Sequence, residues 1–137
     1  MQQLRGERLA NQMLTRPAAT PAAVVSALGA VQAQEYGWAK WALALRSRDA
    51  TDAAIDAAVA DGSILRTHPM RATHHFVAPE DIRWLLALVL PRTLVRTGPR
   101  HGRLGLDPKT LDKALALVAR ALEGGHAKTR AELAEVL

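Results

Sequence analysis

Two glutamines, Gln32 and Gln34, are the residues whose type and spacing could perform catalysis. Residues two apart lie about 200° from one another on a helix but on the same side of an extended chain. A carboxamide does not titrate, so each side chain can only orient a water through its oxygen or donate to a leaving group. That chemistry suffices where the leaving group is already cationic, as with a base alkylated at N7. A polar helix end is the alternative interpretation of the two glutamines.

A second set of polar side chains lies on a predicted β-strand. Alternate residues of a strand share a face, so the guanidinium, hydroxyl and imidazole of Arg71, Thr73 and His75 are expected side by side, where they could grip a phosphate or sugar edge. An ordinary polar outer face is the simpler explanation. The other face is mostly apolar and should pack inward; it holds Met70, Ala72, His74 and Phe76.

Metal and covalent chemistry are disfavoured. The chain has no cysteine, which excludes a disulfide, a cysteine zinc site and a cysteine nucleophile. His74 and His75 project to opposite faces of a strand and, with His68 and His101, lack the spacing of a zinc motif. No phosphate-binding glycine loop, serine elbow or paired-carboxylate signature occurs. We therefore expect neither a metal nor a cofactor.

The net charge of +5 is concentrated in the middle of the 137-residue chain. Residues 1–60 hold six basic and five acidic groups, residues 61–106 hold seven and three, and residues 107–137 hold five and five. The stretch 82–106 has no carboxylate, which suits phosphate recognition as well as it suits a solvated face. Its arginines are Arg83, Arg92, Arg96, Arg100 and Arg103.

Export and membrane insertion are not indicated. Residues 1–11 carry charges where a signal peptide would be apolar, and the longest uncharged apolar run, residues 84–90, is far too short to span a bilayer. We expect a cytoplasmic protein with no membrane partner. The sequence leaves its oligomeric state open.

The predicted fold is mainly α with a small β-hairpin. Helical spacing and caps indicate three or four helices, and two β-compatible runs, 64–67 and 70–77, then read as a hairpin joined at His68 and Pro69. This order is typical of a winged helix-turn-helix domain over residues 1–78. The predicted helices are 4–14, one capped by Thr20 that begins at Pro21, 38–46 with Trp41 and Leu45 inward, and one capped by Thr51 that stops at Gly62.

Residues 79–137 are expected to begin a second winged-helix domain that this chain does not complete. A helix from Pro79 to Pro91, a basic connector over 92–106 and a helix from Pro108 to Gly124 are predicted. Thr129 and Glu132 then form a capping box for a last helix.

Several motifs resemble the AlkZ-like (YcaQ-type) winged-helix DNA glycosylases. The similarity covers nearly the whole chain but only the N-terminal portion of that family's length. The motifs are Arg8 with Gln12, Val31-Gln32-Ala33-Gln34, residues 62–67, residues 69–75, Trp84, Pro91-Arg92, residues 104–107 and Thr129-Arg130.

The resemblance implies tandem winged-helix domains with a concave DNA-binding surface, and excision of N7-alkylated purines, in some members with unhooking of interstrand crosslinks. Gln32 and Gln34 match the family's glutamine-hydrophobic-glutamine catalytic motif, in which the pair positions water and stabilises oxocarbenium-like charge. Arg71, Thr73 and His75 match its hairpin pattern as DNA-contacting or site-supporting residues, although Ala72 stands where glycine is common. Arg66, Arg92 and Arg96 complete the expected DNA contacts.

We therefore predict a monofunctional DNA glycosylase, or its N-terminal piece, which acts on alkylated double-stranded DNA and is nucleoid-associated in a bacterium. A non-catalytic winged-helix DNA-binding protein, such as a transcription regulator, is the alternative. It would read DNA with the helix over 51–61, which carries Asp52, Asp56 and Asp61 and no basic residue. A protein-interaction fragment without a nucleic-acid role is the third possibility.

Overall fold

The computed structural model describes residues 2–70 and 73–137. Within these ranges the chain forms seven α-helices and three short β-strands, which confirms the predicted mainly α, winged-helix-like fold with its hairpin. The helices are α1 (Gln2–Asn11), α2 (Pro21–Leu28), α3 (Tyr36–Ala44), α4 (Asp52–Ala60), α5 (Ile82–Arg103), α6 (Pro108–Ala121) and α7 (Arg130–Val136), and the strands are β1 (Val31–Gln32), β2 (Leu65–Met70) and β3 (Thr73–Val77).

Side-chain caps start the helices where the sequence predicts them. The Thr20 hydroxyl accepts a hydrogen bond from the Ala23 N–H at 3.2 Å, and the Thr51 hydroxyl accepts one from the Ala54 N–H at 3.1 Å. The capping box of Thr129 and Glu132 is also formed. Each cap satisfies an N–H that has no partner inside its own helix, which fixes the helix start.

The three strands form one antiparallel sheet in the order β1-β3-β2, so β3 is central. The predicted join at His68 and Pro69 is wrong, because both residues lie within β2. The register between β2 and β3 shifts between Thr67 and Met70. Proline has no N–H to donate to the neighbouring strand. Pro69, which suggested a turn in the sequence, therefore lies at an irregularity within β2. Residues 71 and 72 lie outside the described residues.

The core of the helical part is built from α2, α3, α4 and β3, with Val25, Leu43, Ile55 and Phe76 among its buried side chains. The prediction that Trp41 and Leu45 point inward is wrong, because they are 65% and 57% exposed.

Helix α3 has two apolar stripes, which explains that error. Ala39 and Leu43 form the buried stripe, whereas Trp38, Trp41 and Leu45 form an exposed one with the same helical spacing. Periodicity alone cannot choose between two apolar faces. The packing of α3 against its neighbours buries Ala39 and Leu43 and leaves the larger Trp38 and Trp41 exposed.

Helix α5 extends twelve residues beyond the predicted end at Pro91 and includes most of the predicted connector. A proline inside a helix removes its own N–H and crowds the carbonyl four residues earlier, yet α5 continues through Pro91 among leucines and arginines, which are good helix formers. The chain divides into two compact units, Met1–Thr93 and Leu94–Leu137. The proposed boundary between winged-helix domains at residue 78 remains a prediction.

Among the described residues, no helix has the length and apolarity that a bilayer crossing requires.

Candidate active site

The two glutamines flank a buried alanine on an extended segment. Helix α2 ends at Gly29, whose φ of +73° is a conformation that glycine adopts at little cost, and the chain then enters β1. Ala33 is fully buried, while Gln32 and Gln34 on either side of it are exposed. The extended arrangement that brings both carboxamides to one side of the chain is therefore present.

Gln34 completes the pairing between this segment and β3 with its side chain. The Ala33 N–H donates to the His74 carbonyl at 2.8 Å, as in an antiparallel ladder. The reciprocal His74 N–H donates instead to Oε1 of Gln34 at 3.2 Å. Because a backbone N–H can only donate, this contact identifies the carboxamide oxygen. Among the described residues the Gln34 NH₂ group has no partner, so it can donate to a ligand.

Gln32 lies beside a buried histidine. The register places it directly opposite His75 across β1 and β3, and Thr67 opposite His75 on the other side, so the three side chains share a face of the sheet. Within the described part of the chain, the Gln32 carboxamide has no hydrogen-bond partner. It can therefore use either its oxygen or its NH₂ group toward a ligand.

His75 itself is only 7% exposed, so the predicted exposed row of Thr73 and His75 is not what the sheet presents. Its Nδ1 lies 2.9 Å from the Thr73 carbonyl oxygen, which can only accept, so Nδ1 carries the proton. The Thr73 hydroxyl donates to the Met70 carbonyl at 3.2 Å. Both residues are used in the hairpin, which agrees with a site-supporting role rather than direct contact.

Arg66 reaches from β2 to the backbone of the glutamine segment. Its Nε donates to the Ala33 carbonyl at 3.0 Å, and one of its terminal nitrogens donates to the Gln34 carbonyl at 3.2 Å. β2 and β1 are separated by β3, so the Arg66 side chain bonds to a segment that is not the neighbour of its own strand. Its guanidinium also lies over the ring of Tyr36, 5.4 Å from the centroid.

Tyr36 connects this arrangement to α4. Its ring packs edge-on against Phe76 at 5.9 Å, and its hydroxyl donates to Asp56 at 2.6 Å. Lys40 contacts the same carboxylate at 3.1 Å and pairs with Asp52 at 2.7 Å. The α3–α4 contact therefore fixes the ring on which Arg66 rests.

The charges of this network are stabilised by their own contacts. The hydrogen bond to Asp56, followed by burial, raises the pKa of the Tyr36 phenol. The hydrogen bonds from Tyr36 and then Lys40 hold the pKa of Asp56 below its usual value. The hydrogen bond to Asp52 is the largest contribution that raises the pKa of Lys40. These directions keep Lys40 and Asp56 charged and the Tyr36 phenol neutral at neutral pH.

His74 has an unusual environment for an imidazole. Its ring lies 3.8 Å from that of His68, and its buried Nδ1 has no hydrogen-bond partner in the described part of the chain. Desolvation lowers the pKa of His74, and the nearby charges of Arg66 and His68 lower it further. The ring beside the Gln34 contact is therefore held neutral.

The structure brings together five of the eight residues predicted for the site, which are Gln32, Gln34, Arg66, Thr73 and His75. Arg71, also predicted there, lies outside the described residues. Arg92 and Arg96 lie exposed on α5, Arg92 in the first compact unit and Arg96 in the second, and neither forms a hydrogen bond or ion pair with the described residues.

The inward direction of Arg66 was not foreseen from its charge. A signal for it was present, because strand alternation places Arg66 on the same side as the buried Ile64. Tyr36 and the His74 backbone were also missed. No group of three metal-ligating side chains occurs in residues 2–70 and 73–137.

The site offers carboxamide donors and acceptors on a backbone that is bonded to His74 and Arg66. The family model described as DNA glycosylase AlkZ-like matches residues 25–137. The chain belongs to the AlkZ-like DNA glycosylase family. The glutamine segment, the hairpin and α5 all fall within the matched region.

A solved member of the AlkZ-like family has the same fold. The Streptomyces sahachiroi DNA glycosylase AlkZ aligns with a TM-score of 0.77 and 30% sequence identity over 93% of this chain. The alignment covers 34% of that enzyme, so this chain spans about a third of its length. No curated protein matches the chain.

Proposed function

We propose that this chain acts as, or within, a monofunctional DNA glycosylase that hydrolyses the N-glycosidic bond of N7-alkylated purines in double-stranded DNA. The observation that supports this most directly is the extended Gln32-Ala33-Gln34 segment, which presents two carboxamides from a backbone bonded to β3 and Arg66. Membership of the AlkZ-like family agrees with this activity. Unhooking of interstrand crosslinks is a further possible use of the same chemistry.

The two carboxamides have different roles in this proposal. Gln34 has its oxygen engaged by the His74 N–H, so its NH₂ group would donate to the departing base or to an adjacent sugar or phosphate oxygen. Gln32 is unconstrained and would orient the attacking water through its oxygen. Neither group needs to titrate, because a base alkylated at N7 carries a positive charge before it leaves.

The reaction balances without a metal or a cofactor. The water oxygen forms a bond to C1′ of the sugar while the bond from C1′ to N9 breaks. The electron pair of that bond returns to the purine ring and neutralises its positive charge, and the proton lost by the water passes to solvent. Oxocarbenium-like charge at the sugar would be stabilised by the carboxamide oxygen of Gln32.

The experiment is release of free base from a duplex that contains N7-methylguanine, measured under single-turnover conditions. We expect release by the wild-type chain, and a rate that falls on the order of 100-fold in Gln32→Ala and in Gln34→Ala, as for loss of one preorganised polar group. Gln2→Ala, on the exposed surface of α1, is the matched control and should keep the wild-type rate. Unchanged release in both site variants would refute the assignment.

A non-catalytic DNA-binding role is the second candidate, and the exposed arginines of α5 favour it. Helix α4 gives it little support, because Asp52 and Asp56 on that helix pair with Lys40 and offer no cation to a groove. The two candidates differ in one measurable respect. A regulator would bind undamaged DNA without releasing base from the alkylated duplex.

A further inference from the structure

Arg66 occupies a position that a phosphate-binding arginine would not need. Two of its nitrogens donate to main-chain carbonyls more than 30 residues away, and the guanidinium rests on the Tyr36 ring. A guanidinium whose donors are directed at the protein backbone has fewer donors left for DNA. The register places it opposite Phe76, on the side of the sheet that packs into the core.

Arg66 donates to the Ala33 carbonyl, which is not used by the His74 N–H because the Gln34 side chain accepts that N–H. In a regular ladder the Ala33 carbonyl would accept the His74 N–H. Here Gln34 accepts that N–H with its side chain, and the Ala33 carbonyl is satisfied by Arg66 instead. The Arg66 contact therefore supports the Gln34 contact. Without Arg66 the buried Ala33 carbonyl would lack a donor, which is costly, and it would compete with Gln34 for the His74 N–H.

We infer that Arg66 is a positioning residue for the proposed reaction, which keeps the Ala33 carbonyl away from the His74 N–H so that Gln34 binds it and presents its NH₂ group outward. This inference rests on the proposed function for its catalytic consequence. The contact arrangement itself is testable without catalysis. Arg66 supports the two glutamines through the backbone and does not touch the reacting atoms.

The test uses Arg66→Lys in the full chain. Lysine keeps the charge and is a competent phosphate ligand, but it lacks the planar fork that reaches two carbonyls. Arg46→Lys is the matched control, because the Arg46 guanidinium donates to the Ala42 carbonyl at 2.8 Å and has no contact with the glutamine segment. Each protein is assayed for base release, for affinity to undamaged DNA and for amide hydrogen exchange at His74.

We expect Arg66→Lys to slow single-turnover base release by about 10- to 100-fold, the scale expected for a misplaced catalytic group. Affinity for undamaged DNA should stay at the wild-type value. Exchange of the His74 amide should become slower, because its N–H passes from the exposed Gln34 side chain to the buried Ala33 carbonyl. Arg46→Lys should leave all three unchanged. Full release by Arg66→Lys, or unaltered exchange at His74, would overturn the positioning role and leave Arg66 as a phosphate contact.

A second variant keeps the test decisive if Arg66→Lys does not fold. Asp56→Asn, on the exposed side of α4, weakens the hydrogen bond that fixes Tyr36 beneath Arg66. It should slow His74 amide exchange by a smaller factor than Arg66→Lys does, without a change in DNA affinity. No change in exchange would count against the proposal. If the wild-type chain releases no base, the proposed function fails, whereas the exchange measurements still judge the positioning role.

Discussion

The glutamine segment and the arginine row of α5 are both exposed polar features, yet they are held in opposite ways. The backbone between Gln32 and Gln34 is bonded to His74 and Arg66, which lie 32 to 41 residues further along the chain. The arginine row, here Arg96, Arg100 and Arg103, lies in the second compact unit and follows the helical repeat with no acidic neighbour on α5.

This difference separates two kinds of function. Catalysis by uncharged groups depends on placement, because a carboxamide gains its effect from being correctly oriented before the reaction. Affinity for a polyanion depends on the number of cations within reach and tolerates mobile side chains. The two regions are therefore expected to respond to different changes.

Substitutions in the arginine row are expected to give the larger of the next two effects. Replacing Arg96, Arg100 and Arg103 with glutamine removes three cations from one helix face. If all three contact phosphates, the slope of log affinity against log salt should fall by about 2.7, from about 0.9 per contact. The rate of base release from bound DNA should stay at the wild-type value.

Isothermal binding at several salt concentrations measures this slope. The control is a triple change of Lys109, Lys113 and Arg120 on α6, which removes the same charge from another helix. An equal loss of slope in both triple variants would show that DNA affinity depends only on net charge. The arginine row would then be no more important for DNA binding than the basic residues of α6. Slower base release from bound DNA in the α5 variant would contradict the expectation that the arginine row contributes to binding alone.

The smaller test is the pH dependence of stability at His74. Its pKa is lowered in the folded protein from the ordinary value of 6.5, so between these two values the unfolded chain binds more protons. Stability should therefore be insensitive to this group above pH 6.5 and should fall as the pH drops below 6.5. The groups responsible are the desolvating surroundings of the ring, Arg66 and His68.

Urea unfolding at pH 7.5 and at pH 5.5 measures this effect. His74→Gln should lose less stability between the two values than the wild-type protein does. His126→Gln, at an exposed position of the second unit, is the control and should behave as the wild type. An identical loss in all three proteins would show that His74 does not contribute.

Local signals predicted the local features of this fold correctly. Thr20 and Thr51 each precede a helical pattern and both cap their helices, because a cap depends on residues three apart in the chain. Whether the glutamine segment is extended or a helix end was left open by the sequence. Features set by distant packing were not predictable in this way.

Two errors and one unforeseen contact show where local information ends. The α3 helix has two apolar faces, so only the packing of its neighbours selects Leu43 over Trp41. The proline at position 91 suggested a stop, although a long helix tolerates the loss of one N–H. The bonds of Arg66 to Ala33 and Gln34 were not predicted, because they require a sheet register that the sequence does not state.

The central claim is that Gln34 acts through its NH₂ group while its oxygen is occupied by the His74 N–H. Gln34→Glu tests it most directly, because a carboxylate keeps the acceptor for His74 but has no N–H to donate. Its negative charge would favour an oxocarbenium-like sugar but would be repelled by phosphates, so release is compared on fully bound DNA.

The measurement is single-turnover release of N7-methylguanine by Gln34→Glu and Gln32→Glu, with His74 amide exchange recorded for both. We predict wild-type exchange in both variants, a loss of release on the order of 100-fold in Gln34→Glu, and substantial release by Gln32→Glu, which can still orient water. Wild-type release by Gln34→Glu would contradict the account.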